Sequence, residues 1–150
     1  MNFTISEASA KLPNEPYLTL LLLSAFPRPR DEQIRIGQEF HDSPSHLFWV
    51  ASVEQHPIGG CAVIESGPDL AIVRYMGVED RLRNQGVGRQ LLEVAIRSTS
   101  KHTIQAETGD DAKDFYGKCG FSVLSLGEKY PGVIRYVCTY SKSRAAKPRR

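Results

Sequence analysis

A chain of 150 residues with 41% hydrophobic and 24% charged residues, 12 Gly, 9 Pro and 3 Cys has the make-up of one globular domain, which excludes a collagen, a coiled coil, a disulfide-stapled miniprotein and a wholly disordered chain. The formal charge of +2 is uneven: the last ten residues hold Lys142, Arg144, Lys147, Arg149 and Arg150 and no acid, leaving fourteen basic against seventeen acidic residues in 1–140. Such a body is not built to grip nucleic acid, so the expected organisation is one domain over 1–140 followed by a basic, disordered tail, 141–150.

In chain order, residues 2–6 alternate weakly as a first strand. Glu15 to Phe26 has Leu18, Leu21, Leu22 and Ala25 at helical spacing, and Pro27 and Pro29 end it. Asp31 is a candidate N-cap for a second short helix through Ile34, Ile36 and Phe40. Leu47–Val53 and Ile58–Glu65 are rich in β-formers and read as an antiparallel hairpin about a His56-Pro57 turn. A third run, Leu70–Val78, follows the turn Ser66–Asp69. Gly86–Ser100 carries Val87, Leu91, Leu92, Ala95 and Ile96 on one face, an amphipathic helix. Thr103–Glu107 is a short strand. Asp110 or Asp111 then caps a helix to Lys118 that Gly120 ends, and Phe121–Leu126 and Val133–Tyr140 are the last strands. The order β-α-α-β-β-β-α-β-α-β-β describes a mixed sheet with helices on its faces.

Cys61, Cys119 and Cys138 are dispersed and form no CxxC or CxxH pair, so neither a disulfide framework nor a metal site is expected. The N-terminus lacks a signal-peptide pattern, and Leu18–Phe26, the longest apolar stretch, is too short to span a bilayer. These features lead to the expectation of a cytoplasmic protein without a membrane partner.

The chemistry lies where a strand, Tyr75–Val78, passes through a loop to a helix opened by Arg83-Asn84-Gln85-Gly86-Val87-Gly88-Arg89. A helix start leaves backbone N–H groups unpaired and carries about half a positive charge, and two glycines let an anion approach it. Arg81, Arg83 and Arg89 add cationic charge nearby. The stretch is neither a P-loop, since Arg89 and Gln90 follow Gly88, nor a dinucleotide fingerprint, since the third glycine is missing. Gly77 inside an apolar strand marks a bulge or a close backbone approach. In the last helix Phe115 and Cys119 read as core, while Tyr116 beside them has a hydroxyl that needs a partner.

With Arg83, Gly86 and Gly88 opening one helix and Phe115, Tyr116, Gly120 and Phe121 in the next, the chain resembles the GNAT superfamily of acetyl-CoA-dependent N-acetyltransferases over about residues 2–140. The resemblance implies an α/β (α+β) fold: a mixed, mostly antiparallel sheet splayed between strands 4 and 5 and flanked by about four helices. It also implies acetyl-CoA as co-substrate, with its pyrophosphate on the turn formed by Arg83, Asn84, Gln85, Gly86, Val87, Gly88 and Arg89 and its pantetheine arm along Met76, Gly77 and Val78. Tyr116 would then serve the departing thiolate. Glu107, at the end of the fifth strand, is the leading candidate for the general base, with Glu65 and Glu79 behind it. The acceptor is a primary amine of a small molecule or protein, attacking the thioester directly in a ternary complex. The alternative is a non-catalytic acyl-CoA-binding sensor or interaction module. Arg28 and Arg30 are candidates to attract an acceptor carboxylate, an exposed C-terminal strand would suit a homodimer, and Asp110 or Asp111 stands where an Asn is frequent in the family.

Overall fold

The computed structural model describes residues 2–7, 31, 32, 35 and 45–142. They form a seven-stranded sheet in the order β1-β2-β3-β4-β5-β7-β6. The strands are β1 (Thr4–Glu7), β2 (His46–Val53), β3 (His56–Ser66), β4 (Leu70–Val78), β5 (Thr103–Thr108), β6 (Ser122–Tyr130) and β7 (Val133–Ser141). Every neighbouring pair is antiparallel except β4 and β5, which run parallel. Among the described residues there are two α-helices, α1 (Val87–Ser98) and α2 (Lys113–Lys118), and a 3-10 turn at Asp80–Leu82, rather than about four helices. The helix expected from Glu15 to Phe26, with Arg28 and Arg30 beyond it, lies outside the described residues, and of the expected second helix Asp31, Glu32 and Arg35 are described, each helical.

Helix α1 is what the amphipathic pattern specifies. Val87, Leu91, Leu92 and Ala95 are buried against Trp49, Ala51, Cys61, Val63, Ala71 and Val73 on one face of the sheet. Complete burial of Leu91 and Leu92 is worth about 1.5–3 kcal/mol for each side chain. The opposite face holds a smaller cluster, Phe48, Val50 and Ala62, with Ile64 and Tyr75 packed on it.

Three local expectations are corrected. The first hairpin turns at Glu54-Gln55, both at positive φ (48° and 72°), and not at His56-Pro57, which lies in β3. Pro57 is tolerated there because it pairs with Ser52 at a register shift, where the ladder is already interrupted. Strand β6 extends past Leu126 to Tyr130 by absorbing irregularities at Ser125/Gly127 and Glu128/Tyr130, with Gly127 at φ 79°. At the C-terminus β7 includes Ser141, and the Lys142 ammonium donates to the carbonyls of Ile96 and Thr99 at the end of α1. The C-terminal strand β7, on which a dimer contact was expected, lies between β5 and β6, and the sheet edge is β6, all of it exposed.

Candidate active site: a groove between two diverging strands

Strands β4 and β5 are paired only from Leu70/Thr103 to Val73/Ala106. Beyond that point β4 continues to Val78 against β3, β5 continues to Thr108 against β7, and the two part. The cause is local. Ala62 and Val63 are consecutive in β3, yet their β4 partners are Tyr75 and Val73, so Arg74 is bulged out of the ladder. A bulge bends its strand and increases its twist, which carries the end of β4 away from β5. Gly77 is not the bulge but the close approach: a Cβ on Gly59 would sit 2.9 Å from the Gly77 carbonyl oxygen.

The resulting groove has a volume of about 740 Å³. Its floor is β4 from Val73 to Val78, and one end is closed by the opening of α1. That end is shaped by two residues at positive φ, Asn84 (64°) and Gly86 (85°), which turn the chain from the 3-10 segment into the helix. Gly86 is the N-cap and offers no side-chain capping bond, and the first helical donor onto it is the Gln90 N–H. The N–H groups of Gly86, Val87, Gly88 and Arg89 have no acceptor among the described residues. A Cβ on Gly88 would meet the Phe115 ring at 3.3 Å and Val78 at 3.6 Å, so glycine lets this turn lie against α2 and β4. Unpaired donors, a helix dipole and a bare backbone make this a seat for a phosphate-bearing ligand. The nearby arginines contribute less free charge than the sequence implied. Arg81 pairs with Glu79 at 2.6 Å and Arg89 with Glu93 at 3.5 Å. Arg83 pairs with Asp80 at 2.9 Å and donates from Nε to the Val78 carbonyl at 3.3 Å, tying the turn to the end of β4.

Tyr116 stands on the helical side of the groove. Helix α2 ends in a Schellman motif: the Phe121 N–H donates to the Tyr116 carbonyl (3.1 Å) and the Gly120 N–H to that of Gly117 (3.1 Å), with Gly120 at φ 93°. The accompanying apolar contact is the edge-on packing of Phe121 against Tyr116 at 5.4 Å, and Phe115 packs on the same ring at 5.1 Å. The cap thus fixes the ring that lines the groove. The residue is 5% exposed, and no described group hydrogen-bonds its hydroxyl. Burial, with smaller contributions from Cys61, Cys138 and Cys119, pushes the phenol well above its ordinary value of 10. A buried, unpartnered phenol facing a groove is a donor prepared for a ligand atom.

Glu107 lies across the groove with both carboxylate oxygens engaged. Arg135 Nε donates to Oε2 at 3.3 Å, and Lys129 Nζ lies 3.5 Å from Oε1. Its side chain is 45% exposed. Neither aspartate caps α2: the N-cap is Ala112, without a side-chain bond, and the Gly109 carbonyl accepts from the N–H groups of Ala112 and Lys113. Asp110 instead accepts the Tyr136 hydroxyl at 2.7 Å, while Asp111 lines the groove.

Of the residues singled out from the sequence for cofactor or catalysis, the groove gathers Met76, Gly77, Val78, Arg83, Asn84, Gly86, Val87, Gly88, Arg89, Glu107 and Tyr116 and leaves out Gln85, Glu65 and Glu79. Glu65 accepts the Thr99 hydroxyl (2.6 Å) and Glu79 holds Arg81, both away from the lining. Sequence reasoning missed Arg74, Phe115 and Arg135 as lining residues. Arg74 left a signal, a charge inside the otherwise apolar run Leu70–Val78, whereas Arg135 reaches the groove only through β-pairing. Among the described residues no group of three or more His, Cys, Asp or Glu is placed to hold a metal, and no helix is long and apolar enough to cross a membrane.

A family model described as an acetyltransferase (GNAT) domain matches residues 44–123. No curated protein matches by sequence. Among solved structures, aminoglycoside 6'-acetyltransferase type Ii is 23% identical with a TM-score of 0.78, covering 98% of this chain and 99% of that one. An aminoglycoside 6'-N-acetyltransferase complexed with coenzyme A is 19% identical with the same TM-score of 0.78 and the same 98% and 99% coverage. A GNAT family acetyltransferase from Elizabethkingia anophelis with acetyl-CoA bound is 21% identical, at a TM-score of 0.68 over 93% of this chain and 98% of that one. At these identities the likeness is one of fold.

Proposed function

The chain belongs to the GNAT acetyltransferase family, an acyltransferase family that uses acetyl-CoA, and from that membership we propose that it acetylates a primary amine by direct attack on the thioester, with Tyr116 and Glu107 on opposite sides of the reacting atoms. The observation that carries this reading is the pairing, in one groove, of an unsatisfied helix start with a buried phenol that has no described hydrogen-bond partner. The residues present fit the co-substrate. The amides of Gly86 to Arg89 would take the pyrophosphate, and the exposed edge of β4 from Met76 to Val78, left by β5, would take the pantetheine arm.

An acceptor amine with a pKa near ~10.4 is almost wholly protonated at neutral pH, and exposing its lone pair costs about 4–5 kcal/mol. Glu107 takes that proton, directly or through water, and its half-exposed side chain passes it to solvent. As the C–N bond forms and the C–S bond breaks, the thiolate receives a hydrogen bond from Tyr116. Burial makes this phenol a weaker acid than an ordinary tyrosine, so proton transfer to a thiolate whose thiol has a pKa of ~8.5 is strongly uphill. Hydrogen-bond donation, with the thiolate leaving as such, is its role. A covalent cysteine route lacks a nucleophile. Cys61 and Cys138 are fully buried, burial pushes the Cys61 thiol up to about 12, and burial likewise raises Cys138 and Cys119.

A sensor that only binds acyl-CoA has no use for a phenol held ready beside the splay, which is why the enzyme reading is preferred. Thiol release from acetyl-CoA, followed over a panel of primary amines, tests it. Acceptor-dependent release is the expected result. Cofactor binding without release on any amine would overturn it in favour of the sensor.

A further inference from the structure

The rim of the groove facing away from α1 and α2 carries a charge pattern that acetyl transfer alone does not require. In β4, Val73 joins the core beneath α1, while Tyr75 packs on the opposite face with Phe48, Val50 and Ala62. Arg74 is the bulged residue between them, exposed, and it lines the groove where β4 leaves β5. Strand β5 alternates in the same sense. Ile104 and Ala106 are buried beneath α1, so Glu107 falls on the other face, as do Arg135 and Lys129, which hold it. Arg135 and Lys129 share that one carboxylate, and the Arg74 side chain has no ion pair or hydrogen bond with any described residue. Asp111, the other acid of the lining, belongs to the turn leading into α2. Among the described residues the rim therefore presents Arg74, Arg135 and Lys129 together with the carboxylates of Glu107 and Asp111, and of these three cations Arg74 is without an ion pair.

Resting on the acetyltransferase reading above, we infer that the acceptor is an amine that also bears an anionic group, a carboxylate or a phosphate, and that Arg74 binds this group. A guanidinium offers a planar fork of N–H donors that matches either anion with two parallel hydrogen bonds. A cationic group held beside Arg74 is repelled by the unpaired guanidinium, and an anionic group there is attracted. Because Arg74 sits on the face opposite the Tyr116 side, holding the anion there leaves the amine to enter the gap between the strands, toward the thioester. Arg74 is thus a specificity-determining residue that leaves the bond-making atoms alone.

The test uses the full chain and matched acceptor pairs: β-alanine against β-alaninamide, phosphoethanolamine against ethanolamine, and spermidine as a purely cationic amine. Thiol release is compared as kcat/KM per unprotonated amine. The anionic member of a pair is expected to exceed its neutral counterpart by about tenfold or more, the scale of one charge-assisted hydrogen bond. The two pairs distinguish a carboxylate ligand from a phosphate. In Arg74→Gln the preference is expected to collapse through a higher KM for the anionic acceptor, with the KM for acetyl-CoA unchanged, and Arg74→Lys is expected to retain part of it. Preference for spermidine or the neutral amines, or a preference that survives in Arg74→Gln, overturns the inference. Calorimetric binding of β-alanine and phosphoethanolamine to the CoA-saturated protein separates this inference from the reading it rests on. Binding that is lost in Arg74→Gln, without turnover of any amine, supports the anion site and refutes the transferase. Turnover confined to uncharged amines, with neither anionic probe bound, does the reverse.

Discussion

Replacing Tyr116 with phenylalanine should separate stability from activity in opposite directions. The substitution keeps the ring, its edge-on contacts with Phe115 and Phe121 at 5.1 and 5.4 Å, and the Schellman cap that runs through the backbone. It removes only a hydroxyl that is buried and has no described partner. An unsatisfied buried donor costs about 1–3 kcal/mol, so deleting it should leave the free protein as stable as before or more stable by ~1 kcal/mol. For a domain of this size, ~1 kcal/mol corresponds to a rise in Tm of about 2–4 °C. In the proposed reaction the same hydroxyl meets the developing thiolate, and removing one preorganised donor to developing charge typically costs about 10²–10³ in kcat. Thermal melting and thiol-release kinetics on the same preparation provide both readings. A Tyr116→Phe protein that melts several degrees lower, or that turns over at the wild-type rate, would refute the reasoning, because the hydroxyl would then have a structural partner or no partner in the reaction.

Glu107→Gln should lower kcat/KM for a fully protonated acceptor by about 10²-fold, with a smaller deficit as pH approaches the amine pKa of ~10.4, where no base is needed; a pH-independent deficit would point to lost ion pairing instead. Gly88→Val places bulk against a Phe115 ring already 3.3 Å from a Cβ there, so it should cost about 1–3 kcal/mol by overpacking and also abolish coenzyme A binding. Calorimetry and melting curves check both effects. Alkaline pH should destabilise the fold. Cys61 is raised from 9.0 to about 12 and Tyr116 is raised above 10 by burial, so below pH 9 both keep their protons whether folded or unfolded. Above pH 9 Cys61, and above pH 10 Tyr116, ionises first in the unfolded chain, and stability falls by about 1.4 kcal/mol per pH unit for each group past its ordinary value. Urea unfolding at about pH 8, 9.5 and 10.5 measures the slope, which Cys61→Ala should reduce.

What could be read from the sequence was what is encoded within one turn or one period. The stripe Val87, Leu91, Leu92, Ala95 specified α1, and Gly120 marked the end of α2 because the Schellman motif there needs a residue in the αL conformation. Gly86 marked the helix start for the same reason, while Gly88 marked the close packing of that turn on Phe115 and Val78. Features set by pairing at a distance were not legible. The bulge at Arg74 exists only in the register with Ala62 and Val63, and Asp110 turns from a cap to Tyr136, a residue 26 positions away. Glu107 was recognised as a carboxylate near the cleft, but its two cationic partners come from β6 and β7, whose register no local pattern fixes. The Glu54-Gln55 turn was missed because neither residue is the glycine or asparagine that usually takes positive φ.

The central claim is that a diphosphate rests on the bare start of α1, and Gly86→Asp tests it most directly. At φ 85° any side chain strains the backbone, but the space around a Cβ at position 86 is open and Asp enters the left-handed region more readily than most residues, so the substitution costs about 1–2 kcal/mol, a few degrees in Tm. Calorimetric titration with coenzyme A should give micromolar binding to the wild type. In Gly86→Asp, where a carboxylate occupies the anion seat, binding should weaken by about 100-fold or more, through repulsion and loss of access, while Tm falls by only about 2–8 °C and melting stays cooperative. Equal affinity in the two proteins, or no binding to the wild type, would contradict the account.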